Sequence, residues 1–105
     1  MSGTSEMQDE RALRDAIVAT ARAMNAAGIN RGTSGNVSAR VAGGFLITPS
    51  GVPYHATAPE DIVAMTDDGD ANGHLAPSTE WRFHREIYRA RPEFNAVVHT
   101  HSTFA

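Results

Sequence analysis

The residues best suited to chemistry stand near the end of the sequence, in Asn95-Ala96-Val97-Val98-His99-Thr100-His101-Ser102. Val97, Val98 and Thr100 are β-branched and favour extended backbone. Side chains alternate faces along a strand, so His99 and His101 point the same way. Two imidazoles at i and i+2 can share one metal ion, each nitrogen about 2.0–2.1 Å from a zinc. The competing reading is a pair of surface histidines. The apolar run before them favours the metal, because a partly buried histidine needs a partner. Two ligands do not complete a metal site, and a carboxylate is the natural third donor.

Glu80, in Pro77-Ser78-Thr79-Glu80, is the candidate. It opens a helix in which Ser78 or Thr79 is expected to cap and Trp81, Phe83, Ile87 and Tyr88 to face inward. Helix-dipole preference alone accounts for an acid there. The unpaired N–H groups of the same turn, with the Ser78 and Thr79 hydroxyls, also make an anion site. The helix ends before Pro92 and the chain returns to the histidine strand, which can bring Glu80 near the end of that strand. One carboxylate and two imidazoles then form a metal site with a base built in.

Two further stretches offer neutral donors. Asn30-Arg31-Gly32-Thr33-Ser34-Gly35-Asn36 is almost wholly Gly, Ser, Thr and Asn, and such a loop can turn several N–H groups onto an anion. It lacks the Gly-Lys-Ser/Thr ending of a P-loop, and an ordinary helix-to-strand connection has the same composition. Thr48-Pro49-Ser50-Gly51-Val52-Pro53-Tyr54 is the second small-residue loop. As a pair at the ends of adjoining strands, the loops suggest one polar pocket.

The elements that must position these groups are legible. Met1–Ser5 reads as a loose tail, and Ser5 to Gln8 has capping-box spacing. Leu13, Ile17, Thr20 or Ala21, and Met24 then recur at helical spacing until Gly28 stops the helix. Val37–Val41 and Phe45–Thr48 flank Gly43-Gly44 as a hairpin. Thr57 is expected to cap a short helical turn over Pro59-Glu60-Asp61, and Ile62–Thr66 is a further strand. The acidic run Asp67–Gly73 reads as a hairpin turn, because a calcium loop counted from Asp67 would place Ser78 where the bidentate Glu belongs. His55 and His74 fall in turns and read as solvated.

Bulk properties narrow the function. The 105 residues are one domain or part of one, with nine Lys plus Arg against twelve Asp plus Glu. No basic patch of the size that nucleic acid demands is present. With no cysteine, a metal site must use His and carboxylate, and a reducing cytoplasm is the natural setting. No apolar run reaches membrane-spanning length, and Met1–Asp9 is unlike a signal peptide. Neither nucleic acid nor membrane is expected as a partner.

Four runs in order carry a resemblance: Asn30–Ser38, Leu46–Tyr54, Pro77-Ser78-Thr79-Glu80-Trp81-Arg82-Phe83-His84, and Asn95–His101. From about Leu13 onward the sequence resembles the N-terminal half of the class II aldolase/adducin family, nearest its L-fuculose-phosphate aldolase branch. The resemblance implies an α/β fold: a three-layer α/β/α sandwich around a mostly antiparallel sheet, of which residues 1–105 supply the N-terminal portion, in a homotetramer when full length. It implies that Gly35, Asn36, Ser50, Gly51, Ser78 and Thr79 bind the substrate phosphate. It implies that Glu80 is the catalytic acid/base and touches the metal, and that His99 and His101 are ligands of Zn2+ or another divalent ion. The family's third zinc histidine lies beyond residue 105.

The implied reaction is reversible cleavage of a ketose 1-phosphate of the L-fuculose 1-phosphate type to dihydroxyacetone phosphate and an aldehyde. A zinc-stabilised enediolate would form on the way. Related readings are a sugar-phosphate 4-epimerase, whose members typically carry Asp at the position of Glu80, and a dehydratase or decarboxylase. A non-catalytic adducin-like binding module is a further reading, and Glu80, His99 and His101 argue against it.

Overall fold

The computed structural model describes residues 2–27 and 35–100, with backbone alone for residues 2–8. Seven elements organise it: α1 (Ser2–Ala26), β1 (Asn36–Val41), β2 (Gly44–Ile47), β3 (Val63–Thr66), β4 (Ala71–Asn72), α2 (Trp81–Ala90) and β5 (Ala96–His99). Two short 3-10 turns, Tyr54–Ala56 and Pro59–Asp61, lie between β2 and β3. The strands form one sheet in the order β4-β3-β2-β1-β5, with every neighbouring pair antiparallel.

Alternation along β1 sorts the two faces of the sheet. Val37 and Ala39 point to one side, where they pack with Leu46, Tyr54 and Ile62 against Ile17, Val18, Ala21 and Met24 of α1. On the other side Phe45, Ile47, Val63, Met65 and Val97 pack with Tyr88 of α2, and Trp81 and Ile87 lie beside them. Helix, sheet and helix make the three-layer α/β/α arrangement, each layer burying one apolar face.

The hairpin turns where the two glycines stand. Gly43 has φ +80°, in the left-handed region that glycine enters without a Cβ clash. At Gly44 the requirement is space: a Cβ there would lie 1.8 Å from the Met65 carbonyl oxygen across the β2–β3 pair. The acidic run after β3 is a hairpin turn into β4, with Gly69 at φ +97°.

Three expectations are corrected. The tail read as loose is helical from Ser2; once a helix is nucleated, extension costs little per residue. Thr57 does not cap the turn at Pro59: Ala58 holds that position, and the Thr57 hydroxyl donates to Pro53 O at 3.0 Å. In α2 Trp81, Ile87 and Tyr88 pack on the core as expected, but Phe83 is half exposed and His84 is buried on the inward side. The stop at Gly28, residues 30–34 of the first loop and His101 lie outside the described residues. No helix among the described residues is long and apolar enough to cross a membrane.

Candidate active site

Two short backbone pairings draw distant loops together. Thr48 N–H donates to Val37 O at 3.1 Å, so the second loop leaves the sheet beside the start of β1. Ser78 N–H donates to Thr48 O and Ser50 N–H to Ala76 O, both at 2.9 Å, around an antiparallel bridge between Pro49 and Pro77. The Tyr54 hydroxyl donates to Gly35 O, tying the end of the first loop to the second. Buried backbone groups need partners, and here those partners hold three loops in one place.

A cavity of about 230 Å³ results, lined by Gly35, Asn36, Pro49, Ser50, Gly51, Ser78, Thr79 and Glu80. The six residues expected around a phosphate thus line one cavity together with Glu80. Among the described residues no lysine or arginine lines it, so the donors they offer an anion are neutral dipoles. The Ser50 and Ser78 N–H groups are committed to Ala76 and Thr48. Gly51 has φ +75°, which turns the loop without a side chain in the way.

Glu80 takes the N-cap position of α2, where Ser78 or Thr79 was expected. Ser78 Oγ instead accepts the Glu80 N–H at 3.3 Å, and Trp81 N–H donates to Ser78 O. The Glu80 side chain makes no cap because it is used across the sheet. Its Oε2 accepts from Asn36 Nδ2 at 2.8 Å and lies 2.5 Å from His99 Nδ1. Asn36 and His99 are cross-strand partners in the β1–β5 pair, so Glu80 sits over a register-fixed pair. Phe83 stacks on the His99 ring with centroids 4.8 Å apart, which explains its position outside the core. His55 and His74 are exposed, and His74 Nε2 lies 2.8 Å from Asp61 Oδ1, away from this site.

The reading of the sequence assigned no role to His84, yet it is fully buried directly behind Asn36. Its Nε2 meets Asn36 Oδ1, and its Nδ1 lies 2.6 Å from Ser38 Oγ, which is 2.7 Å from the Tyr88 hydroxyl. Burial, reinforced by His99 and opposed by Glu80, pushes the His84 pKa down to about 4 from its ordinary 6.5, so the ring is neutral near pH 7. Burial likewise pushes the Tyr88 phenol up. The signal was present in the sequence: Glu80, His84 and Tyr88 share one helix face at i, i+4 and i+8, and Asn36 and Ser38 share one strand face.

A carboxylate and an imidazole are donor types that zinc takes, and Glu80 Oε2 and His99 Nδ1 face each other with Nδ1 shielded from water. They fit as two members of a metal donor set. No group of three His, Cys, Asp or Glu able to hold a metal occurs among the described residues, and His101 lies outside them.

Residues 15–105 match the class II aldolase and adducin N-terminal domain. The chain belongs to the class II aldolase/adducin family. It is 53% identical over 90 residues to a 5-methylthioribulose-1-phosphate/5-deoxyribulose-1-phosphate aldolase of Escherichia coli O45:K1, covering 86% of this chain and 42% of that protein. It is 48% identical over 90 residues to an L-fuculose phosphate aldolase of Haemophilus influenzae, with the same 86% and 42% coverage. Among solved structures, the L-fuculose-1-phosphate aldolase of Thermus thermophilus superposes with a TM-score of 0.74 at 38% identity, covering 85% of this chain and 46% of that one. The chain therefore spans less than half the length of these relatives, and the match to their N-terminal portion agrees with the α/β/α fold.

Proposed function

We propose that the full-length protein is a divalent-metal-dependent class II aldolase. On this reading it cleaves a ketose 1-phosphate to dihydroxyacetone phosphate and an aldehyde, as a cytoplasmic homotetramer. The names of two relatives, a 5-methylthioribulose-1-phosphate/5-deoxyribulose-1-phosphate aldolase and an L-fuculose-1-phosphate aldolase, share a sugar 1-phosphate and differ in the rest of the sugar, which supports a substrate of that class. The observation that carries the proposal is Glu80 at the wall of a cavity of neutral donors, held between Asn36 Nδ2 and His99 Nδ1.

On this reading Gly35, Asn36, Ser50, Gly51, Ser78 and Thr79 hold the phosphate, the non-reacting end of the substrate. Binding energy gathered there is spent on orienting the reacting carbons. Neutral donors suit a group whose charge does not change in the reaction. Glu80, His99 and His101 would hold the metal, with a further ligand from outside this chain. When bound, the metal supplies Lewis-acid charge to the ketose oxygens. Glu80 takes the proton of the hydroxyl on the far side of the breaking C–C bond. The bonding pair stays with the phosphate-bearing fragment, and the proton returns to the carbon that lost its neighbour. Asn36 holds the carboxylate in place, and the wall of the cavity fixes its distance from the phosphate.

The test is Glu80→Gln in the full-length protein, assayed for dihydroxyacetone phosphate from L-fuculose 1-phosphate, 5-deoxyribulose 1-phosphate and 5-methylthioribulose 1-phosphate. Positioned acid/base groups contribute roughly 10²–10⁴-fold, so turnover should fall by that order while affinity for inorganic phosphate is retained. Near-normal turnover would assign the proton transfer to another residue. A wild-type product that is an epimer, or that keeps the carbon skeleton whole, would replace aldol cleavage by the epimerase or dehydratase reading.

A further inference from the structure

The mechanism just proposed makes no use of His84, although among the described histidines it is the one buried directly behind the cavity residue Asn36. The polarity of its hydrogen bonds follows from one end. Asn36 Nδ2 donates to Glu80 Oε2, so the amide end facing the carboxyl group is the NH2. Asn36 Oδ1 is then turned to His84, and the nitrogen meeting it, Nε2, must carry a proton. A neutral ring with Nε2–H has a bare Nδ1, so Ser38 Oγ donates to it. Ser38 Oγ then accepts from the Tyr88 hydroxyl. One direction of donation runs from Tyr88 through Ser38, His84 and Asn36 to Glu80.

We propose that His84 is a positioning residue for the acid/base: its Nε2–H fixes the orientation of the Asn36 amide so that Nδ2 faces Glu80. The two ends of an amide are nearly equal in size, and packing alone does not choose between them. A flipped Asn36 would set Oδ1 against the Glu80 carboxylate, acceptor against acceptor, with the opposite dipole along the cavity wall. With Nε2 protonated, His84 opposes the flip from the other side, because Nε2–H would then face the Asn36 NH2 group, donor against donor. Ser38 and Tyr88 accommodate the tautomer that makes this work, because each hydroxyl can both donate and accept. Asn36, Ser38, His84 and Tyr88 are all buried, so water cannot take the place of a missing partner.

This inference rests on the acid/base reading of Glu80, and its test separates the two. Long-range ¹H–¹⁵N NMR of the labelled full-length protein at pH 7 should show His84 with a protonated Nε2 and a bare Nδ1. The opposite tautomer, or an imidazolium, would overturn the proposal. Kinetics then use two amides: His84→Gln carries an N–H near the position of Nε2, whereas His84→Asn places its amide near Nδ1, short of Asn36. His84→Asn should lower kcat by roughly 10–100-fold, the usual loss when a ligand-orienting partner is removed, and His84→Gln should recover most of it. Equal losses in two folded variants, or no loss in either, would reduce His84 to a packing residue. Should His84→Asn fail to fold, the tautomer and the His84→Gln turnover decide together. Should the wild-type protein cleave no ketose 1-phosphate, the functional reading fails separately. The Asn36 side-chain amide resonances then decide this one: unchanged in His84→Gln but displaced in His84→Asn supports it, and displacement in both or neither refutes it.

Discussion

Acid should unfold this protein partly through His84. The folded-state pKa is depressed from 6.5 to about 4, with burial the largest cause. Between those values the unfolded chain binds a proton at this residue and the native chain does not. Stability therefore rises with pH through that window: the contribution is fully present above 6.5 and is lost as pH falls toward 4. Each pKa unit corresponds to about 1.4 kcal/mol, so the loss across the window is on the order of 3 kcal/mol. Protonation would also place a donor on Nδ1, where Ser38 Oγ now has its own proton directed. The assay is urea unfolding of the full-length protein at intervals from about pH 7.5 to 4, for wild type and for His84→Gln. Carboxylates titrate alike in both, so the difference between the two isolates position 84. That difference should shrink by about 3 kcal/mol on acidification, because Gln never charges. A difference constant over the whole range would show that His84 titrates normally and that its burial is relieved by some motion of α2.

Other expectations are sharper in direction than in size. Asn36→Asp replaces the donor to Glu80 with a second carboxylate at a 2.8 Å contact; turnover should fall by roughly 10²-fold or more, comparable to losing an acid/base group, as read by steady-state kinetics. Gly44→Ala would drive a Cβ to 1.8 Å from Met65 O, so the β2–β3 pair must part, and stability measured by denaturant midpoint should drop by about 3 kcal/mol or more. Dialysis of the full-length protein against a chelator should abolish turnover and added zinc should restore it; turnover that survives removal of all metal, checked by elemental analysis, would remove the metal from the mechanism.

Periodicity in the sequence was enough to anticipate the helices and the hairpins, and the family resemblance supplied the layers. Leu13, Ile17 and Met24 describe one helix face, with Thr20 or Ala21 between them, and Val37 and Ala39 alternate against Ser38, so the buried sides of α1 and β1 follow from the order of residues. The double glycine marked the turn between β1 and β2. In α2 hydrophobicity identifies only part of the inward face. Trp81, Ile87 and Tyr88 pack on the core as expected, but Phe83 is turned toward His99, and the same inward face also carries polar residues, Glu80 and His84. The helix start was misplaced for a related reason. Ser78 and Thr79 are better capping residues than glutamate, but Ser78 N–H and O are engaged by Thr48 and Trp81, which moves the N-cap on to Glu80.

Sheet register, more than any single loop, sets the geometry of the site. Asn36 and His99 are directly opposed, and Ser38 is opposed to Val97 in the same ladder. Asn36 and Ser38 must face α2 so that the helix can meet them with Glu80, His84 and Tyr88. The same alternation sends Val37 and Ala39 into the α1 core. A slip of one residue in β5 would turn His99 to the α1 face and bring the half-exposed Val98 opposite Asn36. It would also remove Val97 from its packing with Tyr88. The apolar residues that stabilise the sheet therefore also hold the polar ones in register, and a strand slip costs core packing before it costs activity. Stability and site geometry are coupled most tightly at β5, where the last residue of the strand is His99 itself.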